Sequence, residues 1–254
     1  MTTTATAAAT TPPRAAVTVS PPVSALKPSG PPVVVTQPHP AARRFTTEDY
    51  RRMIEAGVLT EHDRVELIQG RIIEKTPIGS RHAATVKKLN RQLNSRAEGG
   101  FLVSVQDPIV ISDDGAPEPD VAVLEDREDC YAERLPTAGD VRLIIEVSDT
   151  TLAFDRDVKG PLYAGAGIAE YWIVDLIHDR IEIRREPSVD GIYGLLHTFA
   201  RGQTLDGSDE KFRLSVDELL PPPAEPVQET EPADAAKSTD GAGPTETNAP
   251  PAAR

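Results

Sequence analysis

The sequence predicts a mixed α/β (α+β) domain, in which a mixed β-sheet is flanked by helices, between two disordered tails. Proline separates the parts: residues 1–40 contain 9 of the 24 prolines, residues 221–254 contain 8, and residues 41–220 contain the other 7. Helical and strand-like hydrophobic patterns alternate only in the middle part. We therefore predict a disordered tail over residues 1–42, one domain over 43–220, and a second disordered tail over 221–254.

Both predicted tails are poor in aromatic residues and rich in proline, alanine and threonine, and the second also in glutamate. Such segments bury too little apolar surface to offset the entropy that is lost on ordering. The alternative for the first tail is a docking arm for a proline-binding module around Pro31-Pro32.

The formal net charge of the chain is −13. An acidic protein does not hold nucleic acid by bulk charge alone, although its carboxylates can hold a divalent cation. No apolar run approaches the ~18–20 residues of a membrane-spanning helix, and the start of the chain lacks the pattern of a secretory signal. The single cysteine, Cys130, excludes an internal disulfide framework and a Cys-rich zinc site, and it favours a reducing, cytoplasmic location.

Turn and cap signals divide the first half of the domain into a helix, a hairpin and a second helix. Thr46 or Thr47 begins a helix with two acids in its first turn, and Gly57 lies near its end. The alternating stretch 65–68, the turn Gln69-Gly70 and the apolar pair at 72–73 predict a hairpin. Residues 82–97 repeat apolar side chains at helical spacing, and two glycines end that helix.

The second half of the domain contains most of the predicted strands. Short apolar or alternating runs predict strands at 101–105, 109–111, 121–124 and 141–147, then at 170–174, 181–185 and, more weakly, 193–199. A helix is expected between Asp155 and Ala166, closed by Gly167, and a short helix at 216–220 ends at a proline. Because Pro161 lacks the N–H that a helix interior needs, the longer helix either starts near Val158 or is kinked.

Three acids lie in or beside predicted strands. Asp120 opens one strand, Glu146 ends an apolar run, and Glu66 interrupts the first strand of the hairpin. Mg²⁺ prefers carboxylate ligands of this kind. Each acid also has an alternative: Asp120 as a turn residue after proline, Glu146 in a structural ion pair, and Glu66 on a solvated strand face.

Lys159 is the base that sequence spacing associates with these acids. On a helix, Asp155, Lys159 and Tyr163 share one face, whereas apolar residues at positions 154, 158 and 162 form a stripe that we expect to face the core. The polar face would then point elsewhere, toward the end of the Glu146 strand. The alternative is a surface lysine paired with Asp155.

Two other residues have ordinary structural interpretations. His82 opens the second helix, where a capping or half-buried histidine is the commoner arrangement. Trp172 lies in an alternating strand and is expected in the core rather than as a base-stacking platform. The sequence contains no Gly-rich phosphate loop, serine elbow or Cys–His pair.

Taken in order, these motifs resemble the Uma-type restriction endonucleases of the PD-(D/E)xK nuclease-like superfamily. The resemblance covers about residues 43–220, and the stretch from position 146 to position 175 is its most specific part. The motifs that carry it are Phe45-Thr46, Asp49-Tyr50, Glu66-Leu67-Ile68-Gln69-Gly70, His82, Pro119-Asp120, Glu146-Val147-Ser148-Asp149, Asp155 with Lys159 and Tyr163, and the run from Gly167 to Asp175.

The resemblance implies a restriction-endonuclease-like core and a metal-dependent endonuclease that hydrolyses DNA phosphodiester bonds. Asp120 and Glu146 would hold Mg²⁺, or Mn²⁺, with the Val147 carbonyl as a third ligand. The family's early acid matches Glu66, which would hold a second cation or a water.

The resemblance departs from the superfamily pattern at the lysine. The usual lysine lies two residues after the glutamate, and Ser148 stands there. The catalytic role of that lysine is therefore assigned to Lys159, displaced onto the following helix. His82 matches a recurrent histidine of the family.

DNA is the partner that this resemblance implies; no membrane is expected, and a homodimer is one way in which such nucleases cut both strands. The displaced lysine and the acidic charge favour an alternative, a catalytically inactive nuclease-fold binding or regulatory module. A glycosidase with two carboxylates is disfavoured by the lysine. The basic residues considered for DNA contact are Arg51-Arg52, Lys87-Lys88 and Arg91.

Overall fold

The computed structural model describes residues 42–60 and 62–223. All of these except Ala42 fall within the contact unit that starts at Arg43. The predicted tails lie outside the described residues, apart from Ala42 and residues 221–223. In the described part of the chain, no helix has the length and apolar character that crossing a membrane requires.

Within residues 42–60 and 62–223, eight strands form two sheets. They are β1 (Val65–Ile68), β2 (Arg71–Glu74), β3 (Leu102–Ser104), β4 (Val121–Leu124), β5 (Val141–Ser148), β6 (Glu170–Asp175), β7 (Arg180–Pro187) and β8 (Tyr193–Ala200). Strands β1 and β2 form the predicted antiparallel hairpin, and β3 to β8 form one six-stranded sheet in sequential order. Only β5 and β6 are parallel in that sheet. The mixed sheet confirms the predicted fold class.

Helical segments pack beside the sheets, and three of them link β5 to β6, the two central strands of the large sheet. They are α1 (Thr47–Glu55), α2 (Ser80–Ala97), α3 (Leu152–Phe154), a π-helical turn (Asp155–Lys159), α4 (Gly160–Gly165) and α5 (Val216–Leu219). Thr46 caps α1: its hydroxyl accepts the Asp49 N–H at 3.1 Å, while the Asp49 carboxylate accepts the Thr46 N–H at 3.0 Å. Helix α2 starts two residues earlier than predicted.

The large sheet carries an apolar core on each face. Leu143, Ile145 and Val147 of β5 pack on one side with residues of α2 and α5. Ile144 packs on the other side with Tyr163 and other residues of the β5–β6 connection. Because side chains alternate along a strand, Glu146 shares the face of Ile144 and points at that connection.

The predicted strand at residues 109–111 is wrong. A strand needs successive bonds to one neighbouring strand. The backbone N–H groups here donate to three separate segments: Ile109 to Pro117, Val110 to Pro136, and Ile111 to Gly115. Only an isolated bridge between Val110 and Thr137 forms.

The helix expected between Asp155 and Ala166 begins earlier, at Leu152, and is interrupted by the π-helical turn. The start near Val158 is therefore wrong, and the irregularity precedes Pro161. The N–H of Gly160 donates to the Asp155 carbonyl rather than to Arg156. The freed Arg156 carbonyl accepts Nη1 of Arg184 at 3.4 Å. Pro161 then lies in the first turn of α4, where its missing N–H costs little.

Trp172 is fully buried, which confirms its predicted place in the core. Its indole Nε1 donates to Glu170 Oε1 at 2.6 Å, and the Ser208 N–H donates to Oε2 at 2.9 Å, so the buried carboxylate has two donors. We expect Trp172→Phe to lower the free energy of unfolding by about 1–3 kcal/mol, because Glu170 loses one of them. Urea unfolding followed by circular dichroism measures this. The double variant with Glu170→Gln should lose less than the sum of the single variants; strict additivity would contradict the explanation.

Candidate active site

The register of the large sheet brings two of the predicted acids together. Val121 of β4 pairs with Ile145 of β5, so Asp120, one residue before β4, lies beside Glu146. The Asp120 N–H is 3.4 Å from Glu146 Oε2. Both residues are buried, with 8% and 4% of their surface exposed. The two carboxylates therefore share one face of the sheet.

Three donors orient the Asp120 carboxylate. Oδ2 accepts the Val147 N–H at 2.9 Å and is 3.0 Å from His82 Nε2, while Oδ1 accepts Gln106 Nε2 at 3.2 Å. Burial opposes ionisation, but the hydrogen bond and electrostatic attraction of His82, followed by the hydrogen bonds from the Val147 N–H and Gln106, outweigh it and lower the pKa of Asp120 below its ordinary value. Asp120 is thus held as an anion.

Lys159 and Tyr163 both reach Glu146. Lys159 Nζ and Tyr163 Oη donate to Glu146 Oε1 at 3.0 and 2.8 Å. Burial raises the pKa of Glu146 to about 8, although Lys159 pulls it down. Burial alone would lower the pKa of Lys159, but the carboxylates of Glu146 and Glu66 raise it above its ordinary value, so its ammonium stays charged.

Glu66 joins the same cluster from the hairpin. Its Oε2 lies 3.0 Å from Lys159 Nζ and accepts the Glu118 N–H at 3.1 Å. Only 3% of Glu66 is exposed, so the alternative of a solvated strand face is wrong. Lys159 therefore bridges two buried acids, Glu66 and Glu146, that belong to different sheets.

The helical face that carries Lys159 is the buried one. Asp155, Lys159 and Tyr163 are 3%, 4% and 0% exposed, whereas the apolar stripe at positions 154, 158 and 162 is only half-buried. The expectation that the apolar stripe faces the core is wrong, as is the alternative of a surface Lys159. The reason is Glu146, whose burial on β5 requires polar partners on the facing helix. Ser148, at the position of the usual lysine, donates to the Asp155 carboxylate at 2.7 Å.

Most of these residues line a cavity of about 290 Å³ with an acidic wall. Among the described residues, that wall has six acids and three Lys or Arg side chains, a formal charge of −3 when all nine are ionised and His82 is not counted. The acids are Glu66, Glu74, Glu118, Asp120, Glu146 and Asp155, and the bases are Arg64, Lys75 and Lys159. A phosphate diester entering this cavity is repelled unless a cation neutralises part of that charge.

The donor set fits a hard divalent cation with few protein ligands. No three His, Cys, Asp or Glu side chains among the described residues are grouped closely enough to hold a metal by themselves. Mg²⁺ commonly takes only one or two carboxylates and completes its shell with water and substrate phosphate. Asp120 Oδ1 and Glu146 Oε2 each have one protein donor, the latter a long one, which leaves acceptor capacity for a cation.

All the predicted site residues converge on this cavity. Asp120, Glu146, Lys159, Glu66 and His82 line it, and Val147 does so too, although the contact that the structure shows is from its N–H and not its carbonyl. The basic residues considered for DNA contact do not line this cavity. They are Arg51, Arg52, Lys87, Lys88 and Arg91.

Two residues of the site were missed by sequence reasoning. Tyr163 was placed on the Lys159 face by its spacing but was not assigned to the site. Gln106 had no signal, since it is an isolated loop residue with a left-handed backbone (φ 59°) whose partner, Asp120, follows 14 positions later. Its backbone N–H also donates to the Pro119 carbonyl at 3.2 Å, so it fixes both residues of the Pro-Asp motif.

The comparisons with known proteins agree with this architecture. A family model described as "Uma2: Putative restriction endonuclease" matches residues 47–217. A crystal structure described as a "putative nuclease belonging to DUF820" from Anabaena variabilis ATCC 29413 is similar, with a TM-score of 0.55 and 16% identity over 69% of this chain and 97% of that chain. At that identity the likeness shows a shared fold. No curated protein matches this chain.

Proposed function

The chain belongs to the Uma2 family, and on that premise we propose that it is a divalent-cation-dependent endonuclease that hydrolyses DNA phosphodiester bonds. The observation that supports this most is the juxtaposition of Asp120 and Glu146 on one face of the sheet, with Lys159 Nζ 3.0 Å from Glu146. The acidic cavity around them supports the cation dependence in this proposal, because it repels a phosphate diester.

Asp120 and Glu146 would hold Mg²⁺ or Mn²⁺. When bound, such a cation neutralises charge on the phosphate and lowers the pKa of a bound water. A second cation or water at Glu66, and a contribution from the Val147 carbonyl, belong to the same proposal. The cavity leaves Asp120 ionised for this purpose, since His82, Gln106 and the Val147 N–H hold its carboxylate.

Lys159 acts as a fixed positive donor. Its ammonium stays protonated between two carboxylates, so it orients a water or stabilises charge that develops on the phosphate rather than accepting a proton. Tyr163 holds Glu146 Oε1, and His82 holds Asp120 Oδ2, so both keep the ligands oriented.

A binding or regulatory module without catalysis is the second candidate. The observation that favours it is that Lys159 is already held by two buried acids, Glu66 and Glu146, as in a structural ion pair. In that case the cluster stabilises the fold, and the protein binds nucleic acid or another partner without cleaving it.

Cleavage of supercoiled plasmid DNA distinguishes the nuclease from the binding module. We expect the protein to nick or linearise it with Mg²⁺ or Mn²⁺ but not with EDTA, and Asp120→Ala to reduce the rate by about 100-fold or more, because even loss of a group that only orients a metal ligand costs ~10–100-fold. Asp126→Ala, at an exposed acid just after β4, is the matched control and should cleave normally. Absence of metal-dependent cleavage, with DNA still bound, would establish the binding module.

Further parts of the family resemblance stay predictions. DNA rather than RNA as substrate is tested by offering both to the same preparation. A homodimer is tested by light scattering with and without DNA, and a cytoplasmic location by fractionation of cells that express the full chain.

A further inference from the structure

A second cavity, of about 390 Å³, adjoins the acidic one. It lies between α1, the loop that follows α1, and the hairpin. The two cavities share four wall residues, Arg64, Lys75, Gln106 and Glu118. They are therefore two compartments of one groove. The volume of the second cavity lies within the ~300–1,000 Å³ that is typical of small-molecule sites.

The wall of this second cavity differs from that of the first. Tyr50, Ile54, Leu59 and Val65 give it an apolar side, and Ile54 remains 52% exposed. The Tyr50 hydroxyl donates to the Val65 carbonyl at 3.1 Å. A ligand in this cavity would therefore contact the Tyr50 ring and the aliphatic side chains. Such a surface suits a flat aromatic ligand.

Polar groups also line this cavity. Thr60, Asp63, Gln106 and Glu118 line the cavity and can donate to or accept from the edge of a heterocycle. The charges of Asp63 and Glu118 balance those of Arg64 and Lys75, so the part of this wall that the structure describes has no net formal charge. It lacks the repulsion that the acidic cavity presents to an anionic ligand.

Arg64 lies where the compartments meet. It is exposed, and its guanidinium makes no hydrogen bond or ion pair with any residue that the structure describes. Lys75, by contrast, is held by the Glu118 carboxylate and carbonyl, each at 3.1 Å. Arg64 is therefore the cation at this junction that is free to contact a phosphate.

We propose that the second cavity binds the base of the nucleotide next to the scissile phosphate, with Arg64 contacting a phosphate at the junction. This rests on the proposed nuclease function, which it extends by assigning a subsite for an unstacked nucleoside. The nucleoside makes its contacts with the Tyr50 and Leu59 side, and the phosphate points to the acidic cavity.

The test compares nucleotides with inorganic phosphate in the presence of Mg²⁺. Calorimetric titration of the full chain should show thymidine or deoxyguanosine 5′-monophosphate binding at least about tenfold more tightly than phosphate. Leu59→Trp fills the cavity and should reduce nucleotide affinity to that of phosphate, with phosphate affinity unchanged. Leu196→Trp, at a 55% exposed leucine on β8, is the matched control and should keep the preference.

The outcomes separate this subsite from the nuclease proposal. A preference for nucleotide that Leu59→Trp abolishes supports the subsite even if the wild-type protein cleaves no plasmid. Nucleotide binding no tighter than phosphate, or a preference that survives Leu59→Trp, overturns the subsite even if the plasmid is cleaved. Arg64→Ala should weaken both nucleotide and phosphate while leaving thymidine itself unaffected, and equal loss for thymidine would contradict the phosphate contact.

Discussion

Replacing Lys159 by methionine is expected to lower the free energy of unfolding of the metal-free protein by about 3–5 kcal/mol. The ammonium is the cation that both Glu66 and Glu146 contact at 3.0 Å, and all three side chains are at most 6% exposed. Methionine retains most of the buried volume, so at a pH above about 8, where folded Glu146 is ionised, the loss comes from leaving two carboxylates without a counter-charge. Urea unfolding in EDTA above that pH measures the effect.

Two variants isolate the electrostatic cause. Lys87→Met, at an exposed lysine of α2, is the matched control and should change the unfolding free energy by no more than about 0.5 kcal/mol. Adding Glu66→Gln and Glu146→Gln to Lys159→Met should recover much of the lost stability, because the two acids that contact Lys159 are then replaced by neutral amides. If Lys159→Met behaves like Lys87→Met, Lys159 does not bridge the two acids in solution.

Lys159 also shows how much of the candidate site the sequence pattern predicts. Its spacing from Asp155 and Tyr163 predicted a shared face, and the structure has that face. The burial of that face was missed, because the helical-stripe argument assumes that a core is built from apolar side chains. The assumption fails here because Glu146, on the facing strand, is a buried acid that requires polar side chains from the helix. Its burial depends on long-range packing, which helical spacing does not predict.

The positions of the two candidate metal ligands, Asp120 and Glu146, were easier to predict. Asp120 opens one predicted strand and Glu146 ends another, and because the strands pair in the sheet, their register puts the acids side by side. Gln106 could not be found in this way, since its contact with Asp120 depends on a loop with a left-handed backbone. Local signals therefore predicted the two acids at the strand ends, and long-range packing decided which loop residue contacts Asp120.

The fold shows the same difference between features that local sequence signals predict and features that depend on long-range contacts. Gln69 and Gly70, with φ of 49° and 71°, form the hairpin turn that their residue types predicted. The stretch at 109–111 looked like a strand because it is apolar, but its backbone bonds go to three partners. A period of 3.6 residues also cannot predict the π-helical turn before Pro161.

The metal-free protein is expected to become less stable as the pH rises from about 5 to about 8. Burial raises the pKa of Glu146 from its ordinary 4.5 to about 8 in the folded protein, against the attraction of Lys159. Between those values the folded chain keeps a proton that the unfolded chain has lost, so stability falls with pH by up to about 1.4 kcal/mol per unit. Urea unfolding in EDTA at several pH values measures the slope.

Glu146→Gln should remove this part of the slope, because the amide does not titrate. Lys159, Asp155, Asp120 and Glu66 remain in the variant, and burial also raises the pKa of Asp155, so the difference between the two proteins is the informative quantity. Equal slopes would contradict the raised pKa of Glu146. Mg²⁺ at pH 8 should stabilise the wild-type protein more than Glu146→Gln, because a bound cation stabilises the ionised carboxylate that burial disfavours, and native-state binding adds to stability.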